Sequence, residues 1–305
     1  MPASEREIAA LAASHDIIGI GMIADDVRRA RHGARTTFVR VANVAADGAA
    51  CTALAAAAGE IRITGVPVSR AGAIERVRQL ASVAKGVPLS AFSLADLEQL
   101  SISEGITLRA LLEDLRAAGL ELIAEAPFDC LQDARRSIEE VNIAGLTLAR
   151  LTIHQLHSPD PLPLVKAVAG LQRAVGVVRA FAPLPRTINA ALPTTGYDDV
   201  KRVALARIVA DNVPSIQVDW SLYGPKLAQV ALTVGADDVD GVSPDDDRDR
   251  GPRRTPLEEI RRNIRAAGLE PVERNGRFDI LRAVETRGDA PGQVEREPLQ
   301  NEPAR

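Results

Sequence analysis

The sequence predicts an α/β protein: a (β/α)8 TIM-like barrel with a helical N-terminal lead-in and a disordered C-terminal tail. Short β-rich runs alternate with longer helical runs about eight times along the 305 residues. Hydrophobic residues make up 46% of the chain and aromatic residues only 3%, so the core must be aliphatic, which suits parallel strands covered by helices. Repeated strand-then-helix order indicates βαβ units, and eight units close a barrel. A doubly wound open sheet is the alternative.

The predicted elements follow one another in a regular order. Residues 4–33 form the helical lead-in, which ends in the helix IADDVRRARHG. The clearest later helix, LRALLEDLRAAG at 108–119, repeats leucine at helical spacing and ends at Gly119. The predicted strands lie at 35–43, 60–64, 87–92, 120–125, 149–155, 176–183, 215–220 and 234–239. The predicted helices lie at 49–58, 71–84, 107–118, 131–143, 160–173, 196–211, 223–233 and 256–267.

Three segments are expected along the chain: the lead-in at 1–33, the barrel at 34–282 and a tail at 283–305. The tail is polar and rich in proline and glycine, a composition that cannot bury enough apolar surface to fold, so it is predicted to be disordered.

Composition excludes several classes of protein. A net charge of −4 argues against nucleic acid as a partner, since counterion release needs a concentrated basic surface. No apolar run approaches the ~20 residues that span a bilayer, and the N-terminus does not read as a signal peptide. Two cysteines cannot build a disulfide framework. We therefore expect a cytoplasmic protein that does not bind membranes.

Four stretches resemble the radical S-adenosylmethionine enzymes of the futalosine route to menaquinone. They are HGARTTFVRVANV, AFSLADLEQL, the run from LPTTGYDDVKR to GADDVDGV, and RTPLEEIRRNIRAAGLEPVERNGRFDIL. Aminofutalosine synthase is the most similar member, ahead of dehypoxanthine futalosine cyclase and the deazaflavin-cofactor synthases. The resemblance covers residues 10–282 and is strongest in the C-terminal third. It implies a barrel of the radical S-adenosylmethionine type and a link to menaquinone biosynthesis.

The loop after the first strand departs from this family. There the family carries CxxxCxxC, whose three thiolates hold a [4Fe–4S] cluster that binds S-adenosylmethionine. Laid without gaps from Arg40, the three positions fall on Gly48, Thr52 and Ala55, and Cys51 is out of place. The family's next ligand-contacting stretches are also replaced, by IAEAPFD at 123–129 and HQLHSPD at 154–160. We expect no cofactor and no metal.

Polar side chains at the C-terminal ends of the strands form the candidate site, because barrels place their chemistry there. Glu125 is a candidate general base, and His154 and His157 are candidate acid–base groups. The competing interpretation of each is loop shaping, helix capping or rim packing. Side chains suited to hold a carboxylate, a sugar hydroxyl or a planar ring are Arg40, Asn43, Arg186, Asp219, Trp220, Asp237 and Asp238.

Three functions are compatible with these features. The first is a non-radical paralogue of aminofutalosine synthase that binds a related small molecule or a pathway protein. The second is an enzyme with repurposed acid–base or metal-assisted chemistry at the barrel mouth. The third is a non-catalytic subunit of an intact paralogue, in a homo- or hetero-dimer. Whether the chain is an enzyme stays open at this point.

Overall fold

Parallel strands pair around a closed ring in the structure, a computed structural model that describes residues 4–48, 55–245 and 255–281. The ring order is β1-β2-β3-β4-β6-β7-β8-β9, and β9 pairs back with β1. A short β5 precedes β6 and also pairs with β4, and β10 adds to the first half of β1. The strands are β1 Arg35–Ala45, β2 Glu60–Thr64, β3 Leu89–Ser93, β4 Leu122–Pro127, β5 Thr147–Leu148, β6 Leu151–Ile153, β7 Ala180–Pro185, β8 Ser215–Asp219, β9 Asp238–Val242 and β10 Glu270–Glu273. The predicted barrel is confirmed.

Helices cover the outside of the ring. The lead-in is helical as predicted, and Ser4 and Asp16 accept hydrogen bonds from the first turns of its two helices. The helices are α1 Glu5–Ala13, α2 Ile17–His32, α3 Arg70–Val83, α4 Leu94–Ser103, α5 Leu108–Ala117, α6 Ala134–Ile143, α7 Leu162–Val175, α8 Gly196–Val209, α9 Trp220–Thr233 and α10 Pro256–Ala266. Among the described residues, none of these helices has the length and apolarity needed to cross a bilayer.

The structure differs from the predicted elements at three places. Residues 55–58 of the predicted helix 49–58 form a turn, and its other residues lie outside the described part. Helix α4 was not predicted, because it begins directly at the end of β3 with no loop to mark it. The last barrel strand begins at Asp238 rather than at residue 234, since Gly235, with φ 114°, lies in the turn that follows α9.

The segment after β10 crosses the N-terminal end of the barrel. Arg274 donates its backbone N–H to Phe38 of β1, and Gly276 donates to the carbonyl of Gly59. Arg277 then reaches Glu121, ahead of β4, with two hydrogen bonds of 2.7 and 2.9 Å. These contacts close the floor of the barrel. The predicted tail at 283–305 lies outside the described residues.

Candidate functional site

A charged network crosses the barrel lumen. Arg62 on β2 donates two hydrogen bonds, of 2.9 and 2.8 Å, to Asp240 on β9, and a third of 2.9 Å to Glu60. Arg150, just before β6, contacts Asp240 as well, although β6 and β9 are not neighbours in the ring. Each of these four side chains is at most 7% exposed. We call Glu60, Arg62, Arg150 and Asp240 the lumen network.

Asp240 is ionised in this network. Burial by itself would raise the pKa of its carboxyl, but the charges of Arg150 and Arg62 outweigh burial and hold the pKa below its ordinary value. Burial, reinforced by the charge of Arg62, lowers the pKa of Arg150. Asp240 is thus the carboxylate that both buried guanidinium groups share, and Glu60 is a second partner of Arg62.

Three side chains continue the network to the C-terminal end of the barrel. Arg186, after β7, places its Nε 3.2 Å from Oε2 of Glu125 and donates from Nη1 to Oδ2 of Asp219 at 2.6 Å. Oδ1 of Asp219 accepts from the backbone of Leu222 at 3.0 Å and so caps α9. Arg186 and Glu125 each keep 23% of their side chain exposed. We call Glu125, Arg186 and Asp219 the mouth site.

Two buried polar atoms between the mouth site and the lumen network have no hydrogen-bond partner among the described residues. They are Oε2 of Glu125 and Nε of Arg150. Nη2 of Arg150 lies 3.8 Å from the same Glu125 oxygen, beyond hydrogen-bonding distance. Both atoms are buried, and the guanidinium groups of Arg186 and Arg150 are the cations that lie against this carboxylate oxygen.

Asp96 is a mouth residue that sequence reasoning missed. It lies in the first turn of α4, directly above the end of β3. Burial raises the pKa of its carboxyl, the charge of Glu125 adds to the rise, and His154 opposes it. Phe92, at the end of β3, has φ 57°, a strained conformation for a bulky residue. Recognising that α4 begins directly after β3 would have placed Asp96 at the C-terminal end of the barrel.

The two candidate histidines differ in their surroundings. The backbone N–H groups of His154 and Gln155 donate to the carboxylate of Asp129 at 2.7 and 2.9 Å, so Asp129 shapes this loop. His157 is 68% exposed and its Nε2 lies 3.6 Å from the same carboxylate. His154 therefore shares the neighbourhood of Asp96 with Glu125, whereas His157 is held at Asp129. Their acid–base roles stay predictions.

Arg40, Asn43 and Trp220 have three different environments. Nε of Arg40 donates to Glu273 of β10 at 2.6 Å. Thr37 lies on the opposite face of β1, where its hydroxyl donates to Asp238 in the lumen. The expectation that Arg40 points toward the mouth is therefore wrong. Asn43 is exposed at the C-terminal end of β1, in register with Arg62. Trp220 begins α9 and packs, half-buried, against the core.

Asp237 and Asp238 lie at the floor of the barrel, not at its mouth. Asp238 is the first residue of β9, and Asp237 precedes it. Asp238 accepts two hydrogen bonds, of 2.7 and 2.6 Å, from Arg274, and Asp237 pairs with Arg207. The placement of these two aspartates at the mouth was wrong, because the predicted strand 234–239 ends at the residues where β9 begins. Asp240, two residues along the same face, is the aspartate that reaches toward the mouth.

The residues at the family's cluster positions do not offer thiolates. Gly48 carries no side chain, and a Cβ atom built on it would lie 3.0 Å from Nη2 of Arg76 and 3.3 Å from the carbonyl oxygen of Ala45. Arg76 is 5% exposed and donates to that carbonyl from Nε and Nη2, at 3.0 and 2.7 Å. Ala55 begins a turn. A guanidinium thus packs against the backbone where the first thiolate would begin.

The fold is that of the radical S-adenosylmethionine barrels. It is similar to the crystal structure of methylornithine synthase, with a TM-score of 0.63, 12% identity, and coverage of 89% of this chain and 94% of that one. It is also similar to the hydrogenase maturase HydG, with a TM-score of 0.60 and 11% identity over 89% of this chain and 72% of that one. At these identities the similarity establishes the fold alone.

Within that class, residues 183–287 match the family model described as the CofH/MqnC C-terminal region. The chain is similar to the aminodeoxyfutalosine synthase of Streptomyces coelicolor, to which it is 28% identical over 249 residues, 68% of this chain. It is 35% identical over 107 residues to the Methanocaldococcus jannaschii 5-amino-6-(D-ribitylamino)uracil–L-tyrosine 4-hydroxyphenyl transferase, covering 33% of this chain and 30% of that protein. The matched region spans 64% of the Streptomyces synthase.

Proposed function

We propose that this chain is a non-radical homologue of aminodeoxyfutalosine synthase that binds a small carboxylate-bearing molecule of the same pathway at its barrel mouth. The relatives connect it with menaquinone biosynthesis. The observation that supports the non-radical part is the packing of Arg76 against Gly48, the first of the three positions at which the family resemblance expects a thiolate. No step of the proposed function uses a [4Fe–4S] cluster.

The mouth site supports the choice of ligand. The Arg186 guanidinium is a planar fork that matches a carboxylate, and part of it is exposed at the C-terminal end of the barrel. Its present partners, Glu125 and Asp219, hold it in position. The carboxylate of Glu125, whose side chain is 23% exposed beside Arg186, can accept from a ligand hydroxyl, and Asn43 is exposed at the same end.

Native mass spectrometry of the full chain tests this function. After anaerobic incubation with iron, sulfide and S-adenosylmethionine, we expect no cluster mass, with the Streptomyces coelicolor synthase treated identically as the positive control. A second incubation with an aminofutalosine-type nucleoside or with enolpyruvyl benzoate should leave one of them bound. A cluster on this chain would overturn the proposal, and so would failure to retain either compound.

A second function, acid–base catalysis on the bound molecule, is favoured by one observation. Asp96 carries a carboxyl whose pKa is raised by burial and by the charge of Glu125, which is the direction of shift that favours a general acid. The test is product formation from the retained compound, followed by mass. Asp96→Asn and Glu125→Gln should each abolish turnover without abolishing binding. Unchanged turnover in both variants would exclude this function.

A further inference from the structure

A cavity lies at the floor of the barrel, at the end opposite to the mouth site. It has a volume of about 480 Å³, which is the size of a small-molecule site. Its walls come from the end of α2, from the starts of β1 and β8, and from the segment after β10. We call it the floor cavity.

Two guanidinium groups in the floor cavity have no carboxylate partner among the described residues. The guanidinium of Arg35, the first residue of β1, makes no hydrogen bond or ion pair with any of them. The guanidinium of Arg179 donates one hydrogen bond there, from Nη1 to the carbonyl oxygen of Arg277 at 2.5 Å. Both side chains belong to exposed residues, so a ligand can reach them.

The other charged residues of the cavity are largely compensated. The guanidinium of Arg277 is engaged by Glu121 at 2.7 and 2.9 Å. The carboxylate of Asp237 is engaged by Arg207 and accepts from the Ser215 hydroxyl at 2.8 Å. Asp279 accepts from the side chain of Asn275 at 3.1 Å and is the acid that remains. Two available cations therefore face one carboxylate, and the cavity favours an anion.

The remaining wall of the floor cavity is apolar. Pro214, Val272, Phe278 and Ile280 contribute to it, and Ile280 is 51% exposed, which leaves apolar surface for a ligand to cover. The Phe278 ring lies under the guanidinium of Arg274, 3.9 Å from the ring centroid, so this wall is held in place.

We propose that the floor cavity binds a small organic oxyanion, a carboxylate or phosphate group carried on an apolar body. Arg35 and Arg179 would hold the oxyanion, since a guanidinium fork matches both groups, and the apolar wall would cover the body. This site is separate from the mouth site, so it stands or falls independently of the proposed function.

Isothermal titration of the full chain with benzoate and with phenyl phosphate tests the proposal and identifies the oxyanion. Benzyl alcohol and inorganic phosphate are the matched probes that lack the charge or the apolar body. We expect saturable binding at millimolar concentration of at least one aromatic anion, and about tenfold weaker binding of both matched probes. Equal binding of benzyl alcohol, equal binding of inorganic phosphate, or no saturable binding of either aromatic anion would overturn the proposal.

Variants locate the bound anion. The double variant Arg35→Gln with Arg179→Gln should weaken binding by about tenfold or more, as should Ile280→Glu, which puts a negative charge on the exposed wall. Arg173→Gln, on the outer surface of α7, should leave it unchanged. Arg186→Gln, whose guanidinium belongs to the mouth site, is titrated in parallel to measure any binding of the same anion there. Circular dichroism spectra verify that each variant folds. Binding that is lost in Arg186→Gln but kept in the double variant would place the anion at the mouth and refute a floor site.

Discussion

Arg62 and Asp240 face each other in the barrel lumen, joined by two parallel hydrogen bonds of 2.9 and 2.8 Å. They come from β2 and β9, which are separated by β1 in the ring. Arg150 contacts the same carboxylate from farther round the barrel. The interior at this level depends on the charge of one aspartate, because without it Arg150 would lack a hydrogen-bonded carboxylate and Arg62 would keep only Glu60.

Removing that charge should destabilise the protein strongly. Asp240→Asn leaves Arg62 and Arg150 buried without their shared carboxylate, and we expect the free energy of unfolding to fall by about 3–5 kcal/mol. Urea denaturation followed by circular dichroism measures the change. The control is Glu75→Gln, in an ion pair whose two side chains are more than half exposed, with an expected change within about 0.5 kcal/mol. A loss below about 1 kcal/mol in Asp240→Asn would contradict the structural role of the network.

The same aspartate predicts how stability depends on pH. The folded-state pKa of Asp240 is lowered, so in acid the unfolded chain binds a proton at this group that the native protein does not. Its contribution is fully present above the unfolded pKa of about 3.9 and is lost as pH falls toward the folded value. Between pH 4 and 2.5, the stability of the wild type should fall more steeply than that of Asp240→Asn, by up to about 1.4 kcal/mol per pH unit. Urea unfolding at these pH values measures both proteins. If their free energies of unfolding fell with pH at the same rate, the predicted role of the Asp240 carboxylate would be refuted.

Arg186→Gln should separate ligand binding from folding. The variant removes the exposed guanidinium of the mouth site, while Oδ1 of Asp219 continues to cap α9 through Leu222. We expect binding of enolpyruvyl benzoate or the nucleoside to weaken by about tenfold to a hundredfold. Titration calorimetry measures it, with Arg173→Gln as the matched control. Equal affinity in Arg186→Gln and wild type would remove this arginine from the site.

Gly48→Ala tests the packing of the segment that follows β1. The added methyl would lie 3.0 Å from the Arg76 guanidinium and 3.3 Å from a backbone oxygen, and Arg76 is held by two hydrogen bonds. We expect stability to fall by about 1–3 kcal/mol, the usual cost of overpacking. Gly196→Ala is the control, because its Cβ would meet nothing within 4 Å. Wild-type stability in Gly48→Ala would mean that the loop still has space for a side chain.

Most of the fold could be predicted from local sequence patterns. Helical spacing in 108–119 and β-rich runs such as EIRIT at 60–64 depend on neighbours in the chain, and the structure has both elements. Helix α4 was missed because it follows β3 without a loop, and β10 because a four-residue strand has little periodicity. The last strand was predicted to begin at residue 234, four residues before its start in the structure, and this placed Asp237 and Asp238 at the wrong end of the barrel.

The candidate site was predictable only in part. Glu125 and Asp219 lie at the ends of predicted strands and Arg186 follows one, and parallel strands bring their C-terminal ends together. Arg62, Arg150 and Asp96 gave no such signal, because their roles arise from contacts between distant parts of the chain. Arg150 and Asp240 are 90 residues apart, and their meeting depends on closure of the ring.

The sequence by itself determined the parallel barrel, the helical lead-in and the absence of a CxxxCxxC motif, because composition, periodicity and residue identity carry these properties locally. Only the tertiary structure decided which charges share the lumen, that Arg76 packs against Gly48, and that the segment after β10 closes the floor around a cavity. These features depend on which side chains barrel closure brings within a few ångströms, and the energy of a buried charge depends on those neighbours rather than on its position in the chain.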